Sequence, residues 1–71
     1  MSLSDASIGF CGTVRALKGP DFLVERLYEI GVVPGEAIRL ERKMPFGDPY
    51  IVEVRGVSIA LEKSEAGCIE V

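Results

Sequence analysis

The stretch that decides the fold is Leu27–Val54, with the sequence LYEIGVVPGEAIRLERKMPFGDPYIVEV. It contains the end of an apolar-faced helix, a turn at Pro34–Gly35, and two alternating strands on either side of a loop, Met44–Pro49. Proline fixes φ at the second position of a type II turn, and glycine supplies the positive φ at the third. This order of helix, turn and hairpin is typical of a small β-barrel. No nucleophile, general base or cluster of metal ligands is recognisable within it, so we expect the protein to act by binding a partner through its surface.

Apolar and polar residues alternate in several other short runs, as they do in half-buried strands. In the run before the loop, Ile38 and Leu40 alternate with charged residues; in the run after it, Val52 and Val54 do so. The Arg55–Gly56 pair predicts a tight reversal into the next run. The five predicted strands cover residues 9–17, 38–41, 50–55, 57–62 and 69–71.

One helix is predicted between the first two strands. Asp21 is suited to cap its first turn, because a carboxylate accepts hydrogen bonds from unpaired backbone amides, and the helix then begins at Phe22. Gly31 is suited to end it, since helices often finish with a residue at positive φ. The stripe that faces the core is Leu23, Leu27 and Ile30. A single further helical turn is expected at residues 64–66, with Ser64 as its cap.

These elements predict a mainly β fold. Five short antiparallel strands, bent by glycines and carrying one helix between strands 1 and 2, indicate a small SH3-like barrel. Closure of such a barrel pairs sheet edges that an open sheet would leave exposed. The whole sequence, residues 1–71, is expected to form a single domain. The residues assigned to its turns are Gly31, Pro34, Gly35, Gly47, Pro49 and Gly56.

Composition argues against several classes of function. The net charge is −3, and acidic and basic residues are interspersed, whereas nucleic-acid binding needs clustered Lys and Arg. No apolar run approaches the ~18 residues that span a bilayer, and no signal peptide follows Met1. We therefore expect a cytoplasmic protein that neither binds nucleic acid nor inserts into a membrane, as a monomer or a weak homo-oligomer.

The sequence contains no histidine and two widely spaced cysteines, Cys11 and Cys68. A structural zinc site normally needs four Cys or His ligands, and ferrous iron favours imidazole and carboxylate. Cys68 with Glu65 or Glu70 would form only a partial site. We expect no cofactor, while a weak or intermolecular contact with a divalent metal stays open. No catalytic residue is predicted, because no Ser or Cys lies beside a general base and there is no phosphate-binding glycine loop.

The loop Met44–Pro49 is the candidate partner-binding surface. It carries Met44 and Phe46, together with Asp48, which the following proline biases toward an extended backbone. The two apolar side chains either fold back onto the barrel or contact a partner, since Met adapts its shape and Phe supplies contact area. Tyr28 on the helix is a second candidate, because its ring can be buried while its hydroxyl stays in water.

Four motifs in this order resemble one known family. They are Leu27-x-x-Ile30-Gly31-x-x-Pro34-Gly35, Pro45-x-Gly47-Asp48-Pro49, Gly56-x-x-Ile59-Ala60-Leu61 and Glu65-Ala66-x-x-Ile69-x-Val71. Each motif is weak alone, but together they resemble FeoA, a family of small proteins of bacterial ferrous iron transport. The resemblance covers essentially the whole chain.

The resemblance implies an SH3-like fold and a non-catalytic accessory role beside FeoB, a membrane permease with a G-protein domain. The expected partner is therefore the cytosolic region of such a permease, whose transport this chain would modulate. Related domains also form the C-terminal module of iron-dependent repressors. The alternative function is accordingly a metal-responsive regulatory module.

Overall fold

The computed structural model describes all residues, 1–71, and shows a mainly β chain with one principal helix. Helix α1 spans Asp21–Glu29 and the short helix α2 spans Lys63–Ala66; 3₁₀ turns cover Leu3–Asp5 and Pro45–Gly47. The strands are β1 Cys11–Thr13, β2 Ala16–Leu17, β3 Ala37–Lys43, β4 Tyr50–Val54, β5 Val57–Leu61 and β6 Ile69–Glu70. The predicted fold class is confirmed. Neither helix is long and apolar enough to cross a membrane.

Two antiparallel sheets form the barrel. Strands β1, β3, β4 and β5 lie side by side in that order, and β2 pairs with β6 in a second, smaller sheet. The β4–β5 hairpin closes with Val54 opposite Val57, and the β3–β4 pairing sets Leu40 opposite Val52. The hydrogen-bonded ladder therefore runs around most of the barrel but does not pair β5 with β6, where α2 makes the connection.

The first predicted strand is two strands in the structure, which raises the count from five to six. β1 ends at Thr13 and β2 begins at Ala16, so the chain bends at Val14 and Arg15. The Val14 amide donates to Glu36 O at 2.9 Å, whereas the Arg15 amide donates to Glu70 O at 2.7 Å. Successive amides thus bond to different parts of the barrel, and this bend carries one continuous segment from one sheet into the other.

A single apolar core fills the barrel. Alternation along β3 and β4 places Ile38, Leu40, Val52 and Val54 inward, as the pattern predicted. Full burial of a side chain of this size stabilises the fold by about 1.5–3 kcal/mol. The buried apolar residues are Leu3, Ala6, Val14, Leu27, Val32, Ile38, Leu40, Tyr50, Val52, Val54, Leu61, Ala66, Cys68 and Ile69.

The N-terminal segment is part of this core. Leu3 is completely buried, although it lies before the first predicted strand. The turn is held because Ser2 Oγ accepts a hydrogen bond from the Ser4 amide at 3.3 Å, and the Tyr50 hydroxyl donates to Ser4 O at 3.0 Å. A residue near the start of the chain therefore closes the end of the barrel next to β4.

The helix caps differ from those predicted. Helix α1 has Pro20 as its N-cap, and Asp21 is its first residue without a capping hydrogen bond from its side chain. Helix α2 has Glu62 as its N-cap in place of Ser64, because the side chain of Glu65 reaches back to accept the Glu62 amide at 2.8 Å. The cap of α1 therefore lies one residue earlier than the sequence indicated, and the cap of α2 lies two residues earlier.

The turn residues lie where the chain reverses direction. Gly31, Gly35, Gly47 and Gly56 have φ values of 90°, 95°, 77° and 77°. At the Pro34–Gly35 turn, the Glu36 amide donates to Val33 O at 3.1 Å, which is the bond expected of a β-turn. Pro49 follows a cis peptide bond at the end of the loop.

Replacement of Leu27 by Ala tests the assignment of the helix to the core. Leu27 is fully buried, so the change should lower the free energy of unfolding by ~2–5 kcal/mol. Phe22 on the same helix is 70% exposed, and Phe22→Ala should change stability by no more than ~0.5 kcal/mol. Urea unfolding followed by circular dichroism measures both. Equal midpoints for Leu27→Ala and the wild type would show that α1 does not pack as described.

Candidate partner-binding site

Phe46 is the most exposed large apolar residue of the chain. Its relative exposure is 106%, so its ring makes no protective contact with the barrel. Its backbone has φ 69° and ψ 11°, a left-handed conformation that costs a non-glycine residue about 1–2 kcal/mol. The Phe46 ring therefore does not fold back onto the barrel, which was one of the two alternatives that the sequence left open. The side chain projects into solvent at the tip of the β3–β4 connection.

The loop that carries Phe46 is held at both ends. The Met44 amide donates to Pro49 O, and the Gly47 amide donates to Met44 O, each at 2.9 Å. Asp48 has an extended backbone, with φ −156° and ψ 131°, as its position before proline indicated. These bonds fix the base of the loop, so Phe46 is presented by an ordered turn.

Asp48 also joins the loop to helix α2. Its Oδ1 accepts a hydrogen bond from the Lys63 amide at 3.0 Å, which satisfies one of the unpaired donors at the start of that helix. The Asp48 carboxylate therefore has a structural contact within the chain. Its assignment to partner binding stays a prediction, and the geometry adds a second role, that of anchoring the loop beneath Phe46.

Met44 and Tyr28 flank this surface differently. Met44 is half-buried at the end of β3, so only part of its side chain is available to a partner. Tyr28 is 53% exposed on α1, and no hydrogen bond or ion pair joins it to the loop. Phe46, Met44 and Asp48 thus form one local site, and Tyr28 belongs to a separate helical surface. Phe22, 70% exposed on the same helix, was not singled out from the sequence.

Helix α2 connects the loop to α1 through a buried carboxylate. Glu65 is only 2% exposed; its Oε2 forms an ion pair with Arg26 Nε on α1, and its Oε1 accepts the Glu62 amide. Sequence reasoning missed this residue as a structural group. The available signal was the spacing of Glu62 and Glu65, because a glutamate three residues after the N-cap commonly reaches back to it.

A network of charged residues lies on the outer face of the large sheet. Arg39 on β3 contacts Glu53 at 3.3 Å and Glu41 at 3.4 Å, and Ser58 Oγ donates to Glu41 Oε1 at 2.7 Å. The hydrogen bond and charge of Glu53 raise the pKa of Arg39 above its usual value. Because these groups are exposed, water and salt screen their charges, and the pairs contribute little to the stability of the fold.

A shallow cavity of about 320 Å³ opens beside this network. It is lined by Cys11, Gly12, Ala37, Ile38, Arg39, Glu53, Arg55 and Gly56. Cys11 is a free, exposed thiol in this wall, and its Sγ donates to Gly9 O at 3.6 Å. No imidazole can serve it as a base, since the chain has no histidine. The lining offers neither a paired acid and base nor a phosphate loop.

The side chains that could bind a metal are dispersed. No three His, Cys, Asp or Glu side chains are close enough together to hold one ion. Cys68 is buried, and its thiol donates to Ser64 O at 3.4 Å, while Glu65 is occupied by Arg26 and the Glu62 amide. The donor set within one chain therefore does not fit a resident metal ion.

Comparison with known proteins identifies a family. The family model described as the FeoA domain matches residues 1–71. Stenotrophomonas maltophilia FeoA complexed with zinc, described as a prokaryotic SH3 domain protein, is 33% identical. The alignment covers 100% of this chain and 88% of that chain, with a TM-score of 0.83. The FeoA-like protein from Clostridium acetobutylicum is 32% identical over 97% of this chain and 80% of its own, with a TM-score of 0.90.

The same fold occurs in a larger regulatory protein. A manganese-dependent transcriptional repressor aligns with 97% of this chain and 39% of its own length, with a TM-score of 0.88. Its identity to this chain is 18%, so the likeness concerns the fold alone.

Substitution of Asp48 tests whether its carboxylate anchors the loop to α2. Asp48→Ala removes the acceptor of the Lys63 amide and should cost about 0.5–2 kcal/mol of stability, as loss of a helix cap does. Asp48→Asn keeps a side-chain oxygen and serves as the matched control, with a smaller loss. Amide hydrogen exchange should accelerate at Lys63 in the Ala variant. Identical exchange rates in both variants and the wild type would show that the bond does not hold the loop.

Proposed function

The chain belongs to the FeoA family, and from that premise we propose that it binds the cytosolic region of a FeoB-type permease and modulates ferrous iron transport. Family membership supports an accessory role in ferrous iron transport. The Stenotrophomonas maltophilia relative, 33% identical, has itself been put forward as a bacterial ferrous iron transport activating factor. The partner of this chain is then a protein that meets it in the cytoplasm.

The observation that best supports the proposal is the exposure of Phe46 on an ordered loop. An exposed Phe side chain forgoes the ~1.5–3 kcal/mol that burial would contribute. The left-handed backbone at Phe46 adds an unfavourable ~1–2 kcal/mol, and the exposed ring itself makes no contact that offsets either term. A partner with an apolar pocket would recover the first term on binding. An ordered loop that presents one bare aromatic ring is therefore suited to protein recognition.

The binding energy is concentrated in this residue. A few aromatic anchors usually supply most of the affinity of an interface, while surrounding residues exclude water. Met44 beside Phe46 provides adaptable apolar area, since an unbranched thioether packs against irregular surfaces. Because Asp48 and the backbone bonds at Met44 pre-order the loop, little conformational entropy is lost when the partner binds.

This function requires no catalysis by the chain. Binding alone can shift a permease between states, provided that the two states bind with different affinity. The cavity residues supply no acid and base pair, which supports a non-enzymatic role. The metal-responsive regulatory module is the competing function, but likeness to the manganese-dependent repressor extends to the fold and adds no functional argument.

Folding of the isolated chain is independent of metal under this proposal. A structural metal would couple its binding energy to folding, and the dispersed side chains described above do not fit one. Treatment with EDTA should therefore leave the thermal unfolding midpoint unchanged. Elemental analysis of the purified protein is the companion measurement. A midpoint that falls by several degrees with EDTA, or one metal ion per chain, would contradict this prediction.

Substitution of Phe46 tests the binding surface. Phe46→Ala should weaken binding to the cytosolic region of the permease by ~1–3 kcal/mol, about five- to 150-fold in Kd, because it removes the apolar anchor. Isothermal titration calorimetry measures the loss, and the unfolding midpoint should not fall. Phe22→Ala is the matched control, since it removes an exposed ring of the same type from helix α1.

In cells, the same two variants distinguish a loss of partner binding from a loss of folded protein. A strain with Phe46→Ala should take up ferrous iron poorly at normal levels of folded protein, and a strain with Phe22→Ala should take it up normally. Wild-type uptake and unchanged permease binding with Phe46→Ala would contradict the proposal. Loss of binding with Tyr28→Ala would then assign the contact to helix α1.

A further inference from the structure

Strand β5 leaves one of its backbone edges without a partner. It lies at the end of the large sheet and pairs only with β4. The hairpin has a two-residue turn in which Arg55 and Gly56 both have positive φ, so Val54 and Val57 form the hydrogen-bonded closing pair. Pairs alternate along an antiparallel ladder. The amide and carbonyl groups of Ser58 and Ala60 therefore point away from β4, and they take part in no other backbone hydrogen bond.

This edge lacks the usual features that prevent strand pairing. Natural edge strands are commonly protected by charged residues, proline, a bulge or a covering loop. The five residues Val57–Leu61 contain no charge and no proline, and the β4–β5 register is regular throughout. Val57, Ser58 and Ala60 are all exposed. The opposite edge of the sheet, β1, has only three residues and offers a shorter ladder.

We propose that a second copy of this chain pairs antiparallel with β5, edge to edge, with Ile59 on the two-fold axis. In this register Ser58 faces Ala60 of the second copy, and Ala60 faces its Ser58. Both pairs have outward amide and carbonyl groups, so four new backbone hydrogen bonds form. The proposal concerns the isolated chain and does not depend on the permease contact at Phe46.

The side chains are self-complementary in the same register. Ile59 meets Ile59 of the second copy at a non-hydrogen-bonded position, where opposing side chains are closest. Val57, 58% exposed in one chain, lies opposite Leu61 of the other. The inner faces of the two edges are thus apolar at every opposed position from Val57 to Leu61.

Neighbouring symmetric registers are worse. An axis at Ser58 sets Ala60 opposite Gly56, which is a turn residue with φ 77° and cannot extend the ladder. An axis at Ala60 sets Ser58 opposite Glu62, whose amide already donates to Glu65. The Ile59 register is the one that satisfies both outward pairs. Because the contact is two-fold symmetric, it closes as a dimer and does not propagate into a fibre.

A pair of double variants tests the partner and the register together. In S58K/A60K, lysines lie directly opposite each other at both outward pairs of the dimer. In S58K/A60E, each lysine lies opposite a glutamate of the second copy. Both variants remove the Ser58–Glu41 hydrogen bond, and both positions are exposed, so they form a matched set. Thr13→Lys on the edge of β1 is the control for the other strand.

Sedimentation equilibrium under reducing conditions measures the dimer, with the reductant preventing any disulfide through Cys11. The wild type should dimerise reversibly with a Kd at or below about 1 mM. S58K/A60E should bind itself about two- to thirtyfold more tightly, because each cross-strand ion pair is modestly favourable. S58K/A60K should weaken the dimer by at least as much, and Thr13→Lys should leave it unchanged.

Amide hydrogen exchange supplies a second readout. Exchange at Ser58 and Ala60 should slow as the concentration of wild-type protein rises. A wild-type chain that is monomeric at about 1 mM overturns the proposal. So do equal effects of the two double variants, or loss of the dimer with Thr13→Lys, which would indicate head-to-tail pairing. Protection of Ser58 and Ala60 only when the permease region is added would assign the edge to a strand of that partner and also overturn it.

Discussion

Strand β4 is the element on which the rest of the structure depends. It is paired along both edges, with β3 on one side and β5 on the other, and its inward residues Tyr50, Val52 and Val54 are all buried. A shift of one residue in either pairing would turn these side chains out of the core and would turn Ile51 and Glu53 into it. The two hairpins around β4 are thereby fixed in register. The loop that presents Phe46 and the exposed edge of β5 are both consequences of that placement.

The segments around β4 are held together by polar contacts, although one residue of the loop has an unfavourable conformation. Asp48 accepts a hydrogen bond from the Lys63 amide at the start of α2, and Glu65 of α2 pairs with Arg26 of α1, so the loop, the short helix and the long helix are linked by polar contacts. These contacts hold in place a loop whose Phe46 has an unfavourable backbone conformation and an unburied ring. Local strain of this kind persists where the surrounding structure compensates for it, and it is frequent at functional sites. The site therefore consists of an anchored loop base and a single exposed side chain at the tip.

The sequence predicts the parts of this structure that depend on local patterns. Alternation identified β3, β4 and β5, and the Pro34–Gly35 turn has the hydrogen bond of its predicted type. The break between β1 and β2 was not predictable, because it depends on amide bonds from Val14 and Arg15 to distant segments. The burial of Leu3 likewise results from long-range packing. For the site, the sequence located the loop but could not decide the position of the Phe46 ring, since a left-handed backbone at phenylalanine follows from no local rule.

We propose the exposed loop at Phe46 as the surface by which this FeoA-family chain contacts a permease. Titration of the isotope-labelled protein with the cytosolic region of a FeoB-type permease, followed by amide NMR shifts, tests it most directly. The largest shift changes should occur at Phe46 and Gly47, with smaller ones at Met44, and the outer sheet face around Arg39 should be unaffected. Changes centred on the Cys11–Arg39 cavity with none in the loop, or no change at any residue, would contradict it.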